Sequence, residues 1–257
     1  MEFTTIASGS RGNCIFVRGG DTRLLIDSGI SALRVARGIA ALGDDVHNLA
    51  GILITHEHHD HVSGVQMLVK KYGLPVYAAP KVWHNLSFAE SLPDDLRRTY
   101  THDMEIGEIT VSFCKTSHDA CQPVGMVLSH GGKRLGLATD TGIVTNSMLK
   151  SFRDLDGLIL EANHNTKMLA EGPYPSYLKR RVASHEGHLS NEQAAQFLAE
   201  IMAEKVFPVM LAHLSEVNNT PSVARKEITE FMSLMGVLEE FELHVSSPSL
   251  VHPLIAI

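Results

Sequence analysis

Cysteine, basic charge and long apolar runs are all scarce in this sequence, and each shortage removes a class of protein. The three cysteines, Cys14, Cys114 and Cys121, are odd in number and form no C-x-x-C pair. That argues against a disulfide framework and fits a reducing compartment. Lysine and arginine total 22 against 29 aspartates and glutamates, a formal net charge of -7. A protein that tracks a long stretch of nucleic acid by charge alone is usually basic, so nucleic-acid contact here has to be local or helped by bound cations. No apolar run approaches the roughly 18 residues of a membrane span. The opening MEFTTIASGS lacks the basic start and apolar core of a signal peptide. The expectation is a cytoplasmic protein with no membrane association and no evident obligate protein partner. Linkers, low-complexity stretches and charge blocks are missing too, which predicts a single domain over 1–257, large enough for a sizeable core.

What the chain does have is histidine, 15 in all. They are spread along the sequence rather than gathered in a tract, and many fall where an apolar run stops. MEFTTIA and CIFVRGGDTRLLID read as strands joined by Gly-rich turns. Helical spacing is predicted over 31–42, 62–72, 80–90, 145–153, 190–204 and 221–236. Further strands are expected at 51–55, VYAA, ITVSFCKT, PVGMVLSH, RLGLAT, GLILEA, FPVMLAH and near 241–245, with HGGK as a hairpin turn. Strands alternate with helices in both halves, and hairpins occur early and midway. That predicts an α/β layered fold with mixed sheets.

The strongest chemical signal is THEHHDH at 55–61. Histidines at i and i+2 on an extended segment point the same way, so His56 and His58 can share one ion. Asp60 and His61 follow as the chain turns into a helix and can face a second. Four other apolar strands end in ligand-type residues: His118, Asp140, Glu161 with His164, and His213. Taken alone, each is more often a cap or a turn residue. Together with the hexad they supply two ions: His56, His58 and His118 for one, Asp60, His61 and His213 for the other, with Asp140 bridging. Mixed imidazole and carboxylate ligation fits Zn²⁺ or Mn²⁺, with Fe possible. No cysteine enters the set, which argues against a closed structural zinc site. Two such cations deprotonate a bridging water near neutral pH and clamp a tetrahedral or phosphoryl transition state.

At these residues the sequence resembles the metallo-β-lactamase fold hydrolases. HEHHDH, His118, Asp140 and His213 occur in the order of that superfamily's metal motifs, and Asp27 in LLIDSG matches its structural strand-end aspartate. ASGSRGNC, SHDACQPVG, ATDTG, LEANHN, YLKRRVASHEGHLSNEQA and AHLSEVNN resemble the YycJ (WalJ) subfamily more closely, with Arg11 and Cys121 as small departures that remove no ligand. The resemblance implies the four-layer αββα sandwich, two mixed β-sheets flanked by helices. It implies a 5′-to-3′ DNA exonuclease linked to repair, using two divalent ions on single-stranded or frayed 5′ ends. A more distant likeness to ribonuclease Z places Glu161 and His188 beside the metals. His188 or His164 would then protonate the leaving oxygen, with Asp60 also in the catalytic group. The projecting arm of ribonuclease Z and the inserted cap of ribonuclease J have no visible counterpart here. Carbon-ester, lactone or thioester hydrolysis is the alternative within the same fold, and a non-enzymatic regulator a further one that the intact ligand set opposes.

Lesser features keep two readings each. SGSRGN, with Ser10 and Asn13, can face a phosphate with its backbone amides or simply turn a hairpin. Lys179, Arg180 and Arg181 form a basic triplet that is either a solvated helix face or a phosphate contact. Ser190 and Gln193 read as a capping box. Cys121 reads as inert. Trp83 and Phe88 read as core packing rather than a base-stacking platform.

Overall fold

Fourteen strands and the helices between them are ordered along the chain as β1 (Glu2–Ala7), β2 (Cys14–Gly19), β3 (Thr22–Ile26), α1 (Ala32–Ala41), β4 (Leu49–Leu53), α2 (His59–Val62), α3 (Val65–Tyr72), β5 (Val76–Ala78), α4 (Pro80–Asn85), β6 (Arg97–Thr99), β7 (Met104–Ile106), β8 (Ile109–Lys115), β9 (Val124–His130), β10 (Lys133–Ala138), α5 (Asn146–Ser151), β11 (Gly157–Glu161), α6 (Thr166–Glu171), α7 (Ser176–Val182), α8 (Asn191–Ile201), β12 (Val209–Ala212), α9 (Pro221–Leu234), β13 (Leu243–Val245) and β14 (Ile255–Ala256). The computed structural model describes residues 1–202, 205–237 and 242–257.

Each of two sheets holds seven strands, in the orders β14-β1-β2-β3-β4-β5-β6 and β13-β12-β11-β10-β9-β8-β7. They share one plan. In the first, β1, β2 and β3 pair antiparallel, and β4, β5 and β6 continue in parallel. In the second, β8, β9 and β10 pair antiparallel, and β11, β12 and β13 continue in parallel. Side chains alternate along each strand, and the second sheet is buried on both faces along β11, β12 and most of β10. Ile159 and Met210 join the core shared with Phe3, Phe16 and Leu24 of the first sheet. Their neighbours Leu158, Leu160, Val209 and Leu211 pack instead against Phe152 of the α5 end, Phe197 of α8 and Ile228 of α9. On the other side Val35 and Ile39 of α1 and Val65 and Leu68 of α3 close the first core. The result is the expected helix–sheet–sheet–helix sandwich.

Short elements escaped the sequence pattern: β6, β7, β14, α6 and α7 span too few residues for a period to show. The helix expected over 62–72 is broken. Ser28 N–H donates to His61 O (2.7 Å) and Gly64 N–H to Ser28 O (2.8 Å), which ties the chain to the loop after β3 and interrupts the helical ladder. The helix expected over 80–90 stops at Asn85. Residues 203–204 of the expected helix 190–204, and residue 241 of the expected last strand, lie outside the described residues. At the start of α8, Ser190 accepts from Gln193 N–H while the Gln193 side chain accepts from Ser190 N–H, the full capping box.

Candidate metal centre and catalytic cleft

The loops that follow β1, β4, β8, β10, β11 and β12 converge at one end of the sandwich. His56 and His58 leave β4 while the backbone is still extended. His58 is the N-cap of α2, so Asp60 and His61 stand one helical turn further on. His118 follows β8, Asp140 follows β10, and His213 follows β12. Asp140 and His213 have φ of 58° and 53°, the left-handed region that costs a non-glycine residue energy. The strain is held by hydrogen bonds: His213 N–H donates to Ser8 Oγ (2.8 Å), and Asn163 Nδ2 donates to His213 O (2.9 Å).

The rings of His56, His58 and His118 form one group, with ligand atoms within 4.8 Å of one another. Their hydrogen bonds settle which nitrogens are free. Thr55 Oγ1 donates to Asp27 Oδ2 (2.7 Å) and so accepts from His56 Nδ1 (3.0 Å). His58 Nε2 donates to Asp119 O (3.2 Å), and His118 Nδ1 donates to Gly187 O (3.1 Å). The remaining nitrogens are lone pairs. His56 Nε2 is buried with no partner, while His58 Nδ1 and His118 Nε2 face each other at 3.2 Å. Two lone pairs do not bond to one another, but a cation between them satisfies all three rings. The donor set therefore fits a divalent ion.

A second group, Asp60, His61 and His213, also gathers within 4.8 Å. His61 Nδ1 donates to Asp27 Oδ2 (2.7 Å), which aims Nε2 at Asp140 Oδ2 (3.1 Å). His213 Nδ1 lies 3.0 Å from the same Asp140 oxygen, and Asp140 Oδ1 lies 3.7 Å from His118 Nε2. Asp140 thus touches both groups. Burial disfavours charge on all these residues, and their mutual attraction overrides it in part. Asp140 is pushed up by burial, yet His213 and His61 hold it well below the carboxylate range. Burial likewise opposes the charged His213, but Asp140 lifts it to about 9. His61, desolvated in the same way, is raised well above its ordinary value by Asp140 and Asp27. His56 is lowered well below its ordinary value by burial and by the His61 charge.

Beside the second group, His188 Nδ1 donates to Glu161 Oε1 (2.6 Å), while Glu161 Oε2 accepts from Thr141 N–H (3.0 Å) and Leu189 N–H (3.3 Å). Burial works against a charged His188, but Glu161 and Asp140 raise its pKa. His164 differs. Its Nδ1 is buried without a partner, and burial lowers its pKa to about 4 despite Glu161. A cleft of about 220 Å³ opens onto both groups, lined by Ser10, His58, Asp60, His118, Asp140, Asn163, Tyr174, Leu178, Arg181, Val182, His188, His213 and Ser215.

Against the sequence expectations, three phosphate contacts change place. Asn13 is buried, and its side chain is already committed: Nδ2 donates to Asp60 Oδ2 (3.3 Å), and Oδ1 accepts from Gly9 N–H (2.9 Å). It orients a ligand-type residue instead of meeting a phosphate. Lys179 Nζ donates to Ala170 O (2.6 Å), away from the cleft. Arg180 is exposed and absent from the cleft lining. Arg181 lines it, its Nε donating to Asp119 Oδ2 (2.7 Å). Ser10 stays at the mouth, and His164 is not part of the lining. Asp119, Ser8 and Tyr174 escaped the sequence reading. Only the adjacency of Asp119 to His118 offered any signal. Cys121 is exposed, its thiol pushed up by Glu57, which suits an inert residue. Trp83 packs on the core with Nε1 donating to Arg98 O (3.1 Å).

Comparison with known proteins follows the same lines. Residues 22–209 match the model of the Beta-lactamase superfamily domain. The chain is 34% identical over 255 residues to the exodeoxyribonuclease YycJ of Bacillus anthracis, covering 97% of each. It is 32% identical over 261 residues to the exodeoxyribonuclease WalJ of Streptococcus pneumoniae, covering 99% of this chain and 97% of that one. The crystal structure of the metallo-β-lactamase fold protein YhfI from Bacillus subtilis superposes with a TM-score of 0.72 at 18% identity, over 98% of each chain, a likeness of fold.

Proposed function

From a chain that belongs to the β-lactamase superfamily, and within it to the family of the exodeoxyribonucleases YycJ and WalJ, we propose a two-metal phosphodiester hydrolase that removes nucleotides from DNA ends in the 5′-to-3′ direction. The observation that carries the reading is the pair of three-residue ligand groups that meet at Asp140 on the floor of one cleft. His56, His58 and His118 hold one ion; Asp60, His61 and His213 hold the other. Mixed imidazole and carboxylate donors suit Zn²⁺ or Mn²⁺. Bound there, the two cations supply a nucleophile at neutral pH and neutralise charge on the phosphate oxygens.

The other roles belong to side chains. Asp27 orients His61 and, through Thr55, His56. Arg181 on the cleft wall meets a non-bridging or terminal phosphate oxygen, offsetting an acidic chain. His188, half-buried, with its pKa raised by Glu161 against the opposing effect of burial, donates a proton to the leaving oxygen. His164 is held neutral by burial and does not reach the cleft, so it is not the acid. The 5′-to-3′ direction and the preference for single-stranded or frayed ends come from the resemblance drawn from the sequence.

The test is a single-stranded oligonucleotide labelled at either end, with Mn²⁺ or Zn²⁺ added. A 5′ label leaves first as a short product, while a 3′ label passes through a ladder. Early internal cuts in a circular strand would mark an endonuclease. Rapid thioester or lactone turnover without DNA cleavage would overturn the proposal.

A further inference from the structure

The cleft has two unlike walls. One carries the histidines and aspartates of the two ligand groups. The other is Tyr174, Leu178, Val182 and Arg181, contributed by α7 and the residue that leads into it. Leu178, Arg181 and Val182 are spaced i, i+3 and i+4 on α7, so they share one helix face. Val182 is buried, and Tyr174 and Leu178 are half-buried, so the wall is apolar with one cation at its edge. None of the four belongs to the ligand groups, and together they pair a flat aromatic side chain with a cation, the two contacts that a nucleotide offers.

Resting on the nuclease reading above, we infer that this wall takes the base of the nucleotide being removed, with Tyr174 as its stacking surface and Arg181 as the clamp on the adjoining phosphate. The cleft then admits one unpaired nucleotide at a time, and Tyr174 determines specificity for an unpaired end.

Two features prepare the wall for that task. Tyr174 stands between Pro173 and Pro175. Proline fixes its own backbone and confines the residue before it to extended conformations, so the ring is presented with little backbone freedom left to lose. Pro175 is also the N-cap of α7, which couples the ring to the helix that carries Arg181. Arg181 in turn is held by Asp119 Oδ2 at 2.7 Å, and the Asp119 carbonyl holds His58. The clamp and one ligand group are thereby fixed to the same residue. Stacking reads the face of a base rather than its edge, so this wall selects for an unpaired nucleotide without selecting a sequence.

The experiment compares two single-stranded oligonucleotides, one with an ordinary 5′-terminal nucleotide and one whose terminal residue is abasic. The Mn²⁺-loaded wild type, Tyr174→Ala and Tyr174→Phe are assayed on both. Tyr174→Ala is expected to lower kcat/KM on the ordinary end by roughly ten- to a hundredfold, through KM, the range that loss of one base–aromatic stack produces. Its loss on the abasic end is smaller by about fivefold or more, and Tyr174→Phe, which keeps the ring, retains most activity on both. Equal proportional losses on the two ends, or a Tyr174→Phe as impaired as Tyr174→Ala, overturn the stacking role while leaving the nuclease reading intact. A wild type that attacks neither oligonucleotide yet turns over a thioester overturns the nuclease reading and this one with it.

Discussion

The two sheets handle their central strands, β3 and β10, alike and then diverge. β3 runs into Asp27-Ser28-Gly29 and β10 into Asp140-Thr141-Gly142, and both aspartates sit at φ 58°. Both glycines admit a backbone that a side chain would exclude. A Cβ on Gly29 would lie 1.6 Å from Asp60 O, and one on Gly142 would lie 2.3 Å from Ser184 O. The same strained corner thus locks the hexad loop in one half and the loop leading to His188 in the other. The carboxylates part company. Asp27 binds Thr55 and the Nδ1 side of His61, so it stands behind the ligand atoms and not among them. Asp140 lies between His61, His213 and His118. The corner geometry is shared, and the residues across from it decide whether its aspartate orients ligands or is one.

Substitution of the paired aspartates tests that difference most severely. Asp140→Asn is expected to abolish turnover, a loss above about 10⁴-fold, because a shared ligand removes both ions' function at once. Circular dichroism on the same preparation should show a folded protein, and metal analysis should fall from near two ions per chain. Turnover that survives within about tenfold, only ~1.4 kcal/mol of the barrier, would break the comparison.

His188 comes next. His188→Ala is expected to lower kcat on DNA by about 10²–10⁴-fold with metal content kept. Substrates whose leaving group needs no proton, such as p-nitrophenyl phosphodiesters, should suffer less. Equal losses on both would make His188 a positioning residue. Asp27→Asn should cost less, about 10–100-fold in metal affinity, as loss of an orienting partner does. Excess metal should restore most of its activity, which is not expected for Asp140→Asn.

Protonation sharpens the contrast on a smaller scale. His213, raised to about 9, and His61, raised well above its ordinary value by Asp140 and Asp27 against the opposing effect of burial, favour the protonated ring when no metal competes. Ligation needs the neutral ring, so metal uptake should release about two protons per chain and tighten as pH rises. Calorimetry in buffers of different ionisation enthalpy measures this; release near zero would place the protons elsewhere. His164 has the opposite sign. Its folded pKa of about 4 lies below the ~6.5 of an unfolded histidine. As pH falls from about 6.5 towards 4, the unfolded chain therefore binds a proton that the folded chain refuses, and stability is lost, by about 3 kcal/mol at most. His164→Gln should remove that part of the slope in urea unfolding between pH 7.5 and 5, and a slope identical to wild type would exclude His164 as its source.

How much of this was legible in the sequence depends on distance along the chain. The hexad is local: four ligand-type residues on six positions, with their facing set by strand and helix periods. Asp140 and His213 were legible because burial on both faces makes β10 and β12 read as apolar runs with one polar stop, and His118 because it closes the alternating strand β8. The sandwich followed from the alternation of such runs with helical segments. Five short elements did not, since two to seven residues carry no period.

Tertiary structure alone decided the rest. Nothing local sets Ser8 to hold the strained His213 across 205 residues, or Asn13 to hold Asp60 across 47. Nor does a basic triplet say which of its members faces the cleft; the docking of α7 aims Arg181 at Asp119 and sends Lys179 to Ala170. Ligand identity is carried by residue type and short spacing, which a sequence displays directly. Orientation, partnership and the apolar wall at Tyr174 arise from packing between segments far apart in the chain, which exists only once the two sheets have closed on one another.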